Sequence, residues 1–238
     1  QSPESVALRY KVPLWSPEHW KLLEKAFELL GQAGADDVFI TALRRTHFGN
    51  EHSMVRWIRQ ADGSLKPDLS IAEKYLDLAV KHLGKVPVVC LYCWEPFTGS
   101  NYGGSVSKDS QGMPFTVLDP ATGKLEEAVG PKWGTPAARE FWRPVFDGMR
   151  DILKKRGLEG SLMVGVAGDS QPNKDAVEDL RSVAPEAKWV VHSHGQAYKL
   201  FGQPVGYLAD VWGSPIAPDP AQKRLYGWKT EFLRTTFP

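Results

Sequence analysis

Val86-Pro87-Val88-Val89-Cys90-Leu91-Tyr92-Cys93-Trp94 is the stretch that decides the fold. It carries no charge and is rich in β-branched and aromatic side chains, which suits a strand. It is too apolar for a strand with one face in water. A continuous apolar strand is what a parallel sheet buried on both faces requires.

Working outward, strand-like runs alternate with amphipathic helices. Upstream lies the best marked helix in the chain. Ser70 and Glu73 have capping-box spacing, Ile71, Tyr75, Leu78 and Ala79 form the apolar stripe, and Gly84 closes it. Before it, residues 37–43 read as a strand followed by a polar loop. A helix precedes that strand, with Ser16 as N-cap, Pro17 in its first turn, and Trp20, Leu23, Phe27 and Leu30 on one face. Residues 5–12 alternate in strand fashion.

Downstream, residues 95–134 are rich in Gly, Ser and Pro and read as one long inserted loop, a length usually functional. A helix is predicted over 135–156, with Pro144 inside it and Gly157 after it. Residues 162–167 and 188–192 read as strands around a helix at 174–183. Residues 205–212 make a sixth strand and 232–237 a seventh.

Repeated strand–helix units imply either a (β/α)₈ barrel or an open doubly wound sheet. The open sheet would carry a Gly-rich phosphate turn after its first strand. That position reads Pro13-Leu14-Trp15-Ser16-Pro17, so no dinucleotide fingerprint exists. The expectation is an α/β fold of the (β/α)₈ TIM-barrel type, incomplete or irregular with about seven strands. It forms a single domain over 1–238.

Composition removes several classes of function. The 29 Lys+Arg against 28 Asp+Glu give a net charge of +1, which is no footprint for nucleic acid. No apolar run approaches the roughly 20 residues that span a bilayer. Cys90 and Cys93 sit three apart on a strand, so they face opposite ways and make poor disulfide partners. No cofactor is expected.

Barrel chemistry is built at the carboxyl ends of strands. Those ends read Thr46-His47-Phe48-Gly49-Asn50-Glu51, Trp94-Glu95, Gly168-Asp169-Ser170, His192-Ser193-His194 and Asp210-Val211-Trp212. Each member alone has a structural explanation, as a cap, a buried histidine or a core indole. Together they put indoles, imidazoles and carboxylates on one rim. Indoles beside carboxylates suit a sugar, whose C–H faces stack on aromatics while its hydroxyls take hydrogen bonds. Glycosidic cleavage needs one group to protonate the leaving oxygen and another to stabilise oxocarbenium-like charge. Asp169 and Glu95, on neighbouring strands, are the candidate catalytic pair. His47, Asn50, Trp94, Tyr102, His192, His194, Asp210 and Trp212 are candidates to line the substrate site. A metal set built on His192, His194, Asp169 and His47 lacks the further ligands a zinc hydrolase needs, so no metal is expected.

The Thr46–Glu51 segment, the Cys90–Glu95 strand and Gly168-Asp169 followed by Pro185-Glu186-Ala187-Lys188-Trp189 resemble glycoside hydrolase family 123, the β-N-acetylgalactosaminidases and their bacterial relatives. The resemblance covers most of 5–215. It implies a barrel glycosidase acting on an oligo- or polysaccharide, in the periplasm or outside the cell, with further domains in the same polypeptide. It also implies an adjacent Asp-Glu pair, in which Asp orients the substrate acetamide as internal nucleophile and Glu is the general acid. Asp169 matches the Asp. Ser170 stands where the acid would be. The acid is then Glu95 or Asp210, or the substrate is not an N-acetyl sugar, or the barrel binds carbohydrate without cleaving it.

Overall fold

A computed structural model describes residues 2–95, 112–167, 172–193, 199–211 and 236–237. Two helices open the chain, α1 (Pro3–Tyr10) and α2 (Pro17–Gln32). Strand β1 (Asp37–Thr41) follows, then the hairpin β2 (Arg56–Arg59) and β3 (Leu65–Asp68), helix α3 (Ser70–Leu83) and strand β4 (Val88–Tyr92). A second hairpin, β5 (Pro114–Leu118) and β6 (Leu125–Val129), leads into α4 (Pro136–Lys154). The remainder is β7 (Leu162–Ala167), α5 (Lys174–Val183), β8 (Lys188–Ser193), β9 (Lys199–Leu200), β10 (Gln203–Val211) and β11 (Thr236–Phe237).

The main sheet runs β1-β4-β7-β8-β10-β11. Every pair along that path is parallel, and only the short β9 joins β10 antiparallel. The strands lie side by side in chain order, with no reversal. Two-residue alternation gives the sheet two apolar faces. One carries Val38, Ile40, Val89, Leu91, Val164, Trp189 and Val191, which join a single core with the apolar stripes of the five described helices. The other carries Val88, Cys90, Met163, Val190 and Tyr207, with Phe39 packed against them. A register shift between Val205 and Tyr207 puts these two residues in different clusters. Gly165 lies where a Cβ would stand 2.5 Å from Cys90 Sγ and 2.8 Å from Val190 Cβ, so strands β4, β7 and β8 meet there without a side chain between them.

The decisive stretch is a strand, and the two cysteines fall in different clusters, both free and buried. Ser16 caps α2, accepting a hydrogen bond from His19 N–H at 3.2 Å. Asn173 caps α5, and Gly84 ends α3 with a positive φ of 75°.

Three expectations are corrected. Residues 5–12 are not a strand. Pro3, Glu4, Val6 and Ala7 are buried at helical spacing, with Pro in the first turn and Lys11 as a left-handed C-cap. Ser70 does not cap α3: the N-cap position is Leu69, and Asp68 accepts from Ser70 N–H instead, at 3.0 Å. The 95–134 stretch is not one loop, because it contains β5 and β6. With β2 and β3 these form a second sheet ordered β3-β2-β5-β6, joined by the parallel pair β2–β5. The described strands form two sheets and no closed barrel among them; the α/β expectation is met as a mixed α/β fold, a parallel sheet with helices. Among the described residues no helix is long and apolar enough to cross a membrane.

Candidate functional site at the carboxyl ends of the parallel strands

The polypeptide leaving β1 turns across the end of the sheet before entering β2. Ala42 N–H still bonds Tyr92 O at 2.9 Å, prolonging the β1–β4 pairing. Arg45 then takes a positive φ of 50°, unusual for a side chain with a Cβ, and the segment folds back so that Arg45 N–H reaches Asn50 O. Asn50 holds this turn from within. Its Oδ1 accepts from Thr46 N–H and Thr46 Oγ1, and its Nδ2 donates to Leu43 O at 2.7 Å and His52 O at 2.9 Å. With both ends of the amide engaged and 3% exposure, Asn50 acts as the clamp of the loop.

Two carboxylates from outside the loop hold its backbone. Glu95, just beyond β4, accepts from His47 N–H at 2.6 Å and from the Tyr92 hydroxyl at 2.7 Å, both on Oε2. Glu4, in the first turn of α1, accepts from Glu51 N–H at 2.7 Å on one oxygen and from His52 N–H at 2.6 Å on the other. Both are buried, at 0% and 7% exposure. Hydrogen bonds to a charged acceptor are about twice as strong as neutral ones, and backbone N–H groups leave the acceptors little freedom. His47 itself is exposed. The next residue, Phe48, sets its ring edge-on to Phe39 at 5.4 Å and to Tyr92 at 5.5 Å. The loop is thus seated on the sheet face that carries no described helix.

Helix α1 is itself fixed. His19 of α2 lies opposite Pro3 O, 2.8 Å from Nε2, and its Nδ1 accepts from Trp15 N–H at 3.0 Å. That pattern requires the neutral ring with the proton on Nε2. Burial holds the imidazole below its ordinary pKa, against the opposing pull of the Pro3 carbonyl and the Glu4 charge. On its far side the loop meets the second sheet. Ser53 and Thr116 exchange hydrogen bonds of backbone N–H to side-chain hydroxyl at 3.0 and 3.2 Å, and Arg45 pairs with Glu127 at 2.8 Å.

Of the residues singled out from the sequence, the structure brings His47, Asn50 and Glu95 together at this end, with Trp94 buried in the core beside them. His192 and Asp210 are placed by their backbones only. His192 pairs in register with Ala167 and Ala209, and Asp210 with Ser193, which sets both at the carboxyl ends of their strands. Asp169, Tyr102, His194 and Trp212 lie outside the described residues, as does the side chain of His192, so three members of the metal set are not described. Among the described residues no group of His, Cys, Asp or Glu is arranged to hold a metal. Sequence reading missed Glu4 and Tyr92. Tyr92, at the strand end beside Glu95, was within reach of that reading. Glu4 was hidden by taking its helix for a strand.

The described residues thus define an α/β domain, a parallel sheet with a clamped polar loop across the carboxyl ends of its strands. The sequence matches the family model for the glycoside hydrolase 123 catalytic domain over residues 1–220, and the chain belongs to that family of glycoside hydrolases. Among solved structures it is similar to a family 123 glycoside hydrolase from Clostridium perfringens, studied for glycolipid glycan hydrolysis, with a TM-score of 0.61 and 16% identity. That match covers 89% of this chain and 37% of the other, so the chain spans well under half the length of the solved protein. No curated protein matches the chain.

Proposed function

We propose that the main sheet is the larger part of a (β/α)₈-type barrel, and that the domain cleaves glycosidic bonds in an oligo- or polysaccharide with carboxylates at its carboxyl-end rim. The observation that carries this is the strand order. Six strands adjacent in chain order, all parallel, with every described helix on one face, follow the winding of a barrel; a doubly wound sheet reverses direction and covers both faces with helices. The same order makes β4, β7, β8 and β10 neighbours. Glu95 comes just after β4, and His192 and Asp210 stand near the ends of β8 and β10; in this reading Asp169, which follows β7 in the sequence, shares their rim.

Within that rim Asp169 is the leading carboxylate, orienting or stabilising the reacting sugar. Ser170 has no acidic proton to give, so the acid comes from another strand. Burial of Glu95 and its engagement with His47 N–H and the Tyr92 hydroxyl support a positioning task for it, which leaves Asp210 as the proton donor. His47, exposed on its clamped loop, contacts the substrate. A compartment outside the cytoplasm, where polysaccharide is met, accords with this reading.

The test is product analysis by mass spectrometry with an aryl N-acetylhexosaminide, glycolipid-type oligosaccharides and mixed polysaccharides. Asp169→Asn and Asp210→Asn are each expected to lower turnover by about 100-fold or more, the usual contribution of a positioned acid or base. Turnover at the native rate in Asp169→Asn would sink the assignment. Ser170 also favours a second reading, a barrel that binds carbohydrate without cleaving it. Calorimetric glycan binding with no turnover by the native protein would establish that instead.

A further inference from the structure

We propose that Glu4 is a positioning residue for the rim, holding the loop that presents His47 from a helix that contributes nothing to the sheet. This rests on the reading of the rim as a glycan site. Three backbone N–H groups of one short loop, those of His47, Glu51 and His52, donate to carboxylates, and the two carboxylates come from two different elements, the end of β4 and helix α1. Glu95 is anchored by its own strand and by Tyr92. Glu4 is anchored because Pro3, the residue before it, faces His19 of α2 through its carbonyl. The described partners of Glu4 are two backbone N–H groups of the loop, and Glu95 takes a third together with a phenol. Such an arrangement fixes a conformation, including the positive φ at Arg45, rather than merely attaching a helix.

The two oxygens of Glu4 each receive one N–H, so an isosteric amide cannot replace the carboxylate. Glutamine offers one acceptor and turns an NH₂ toward the other donor. Glu4→Gln is therefore expected to behave like Glu4→Ala. Leu8→Ser, at an exposed position on the same helix, should behave like the native protein.

Hydrogen exchange of the full chain tests the clamp without any ligand. Loss of a hydrogen bond to a charged group corresponds to about tenfold faster exchange or more. In both Glu4 variants that acceleration is expected at Glu51, at His52 and also at His47, whose own acceptor is untouched, while amides of β4 stay protected. Steady-state kinetics on the aryl N-acetylhexosaminide should show KM raised severalfold with kcat little changed. Unchanged protection at His47 would overturn the proposal, because α1 would then be a simple appendage. So would a loosened loop with native KM. A native protein inert to every glycan would remove the proposed function instead, and the exchange pattern would still decide whether the clamp exists.

Discussion

At His19 both ring nitrogens are engaged, one accepting from Trp15 N–H and the other facing Pro3 O. Only the neutral imidazole satisfies both. Protonation at Nδ1 removes the acceptor that Trp15 uses and places a charge in a buried site. The folded pKa lies below the ordinary value of 6.5, with burial the main cause. The unfolded chain therefore takes up the proton first as pH falls. The stabilisation is fully present above about pH 6.5 and is lost progressively below it as the pH approaches the folded value. Urea unfolding at pH 7.5 and 5.5 should show native stability falling over that interval, with a smaller fall in His19→Gln. A slope identical in the two proteins would show that His19 does not contribute. The residue scale is also where sequence reading reached furthest into the site. His47 and Glu95 were identified from strand ends and are in contact through the His47 backbone. Asn50 was identified too, but as a sugar contact; its amide is used within the loop, a fact that only the folded backbone could reveal.

Elements with explicit stop and start signals were legible. The Asn173 side chain accepts from Ala176 N–H at 2.8 Å, and α5 runs from the next residue to Val183. Asn173→Ala should cost about 1 kcal/mol by chemical denaturation; a change near zero would mean that α5 is held by its packing alone. Elements without such signals were lost. Helix α1 is eight residues long, and over that length Val6, Leu8 and Tyr10 fit a period of two as well as Pro3, Val6 and Ala7 fit one of 3.6. Strands β2, β3, β5 and β6 have four or five residues each. Several of their positions are salt-bridged charges, such as Arg56 with Asp68 and Arg59 with Glu126, so they read as polar loop. Their turns did carry signals, Asp62-Gly63 and Asp119-Pro120-Ala121-Thr122-Gly123, which density of Gly, Ser and Pro obscured.

Over the whole molecule, the parallel sheet followed from its apolar strands, while the second sheet did not, since its two hairpins join through β2 and β5, segments far apart in the chain. Its apolar side rests on α4. Trp57 of β2 stacks on Phe141 at 4.0 Å, and Phe115 of β5 lies 5.0 Å from the same ring. Replacing residues 114–129 by a short Gly-Ser linker should uncover Trp57 and the edge of β2. The expected result is a lower melting temperature and self-association, read by light scattering. A monomer with native melting behaviour would show the second sheet to be dispensable. The pairing of β2 with β5 has a historical implication as well. These hairpins interrupt two different crossovers of the main sheet, the first after β1 and the second after β4, yet each supplies the other's neighbour. A lineage that gained or shed one of them alone would have carried an open strand edge and a bare indole, so the two insertions form a single heritable unit written in two places.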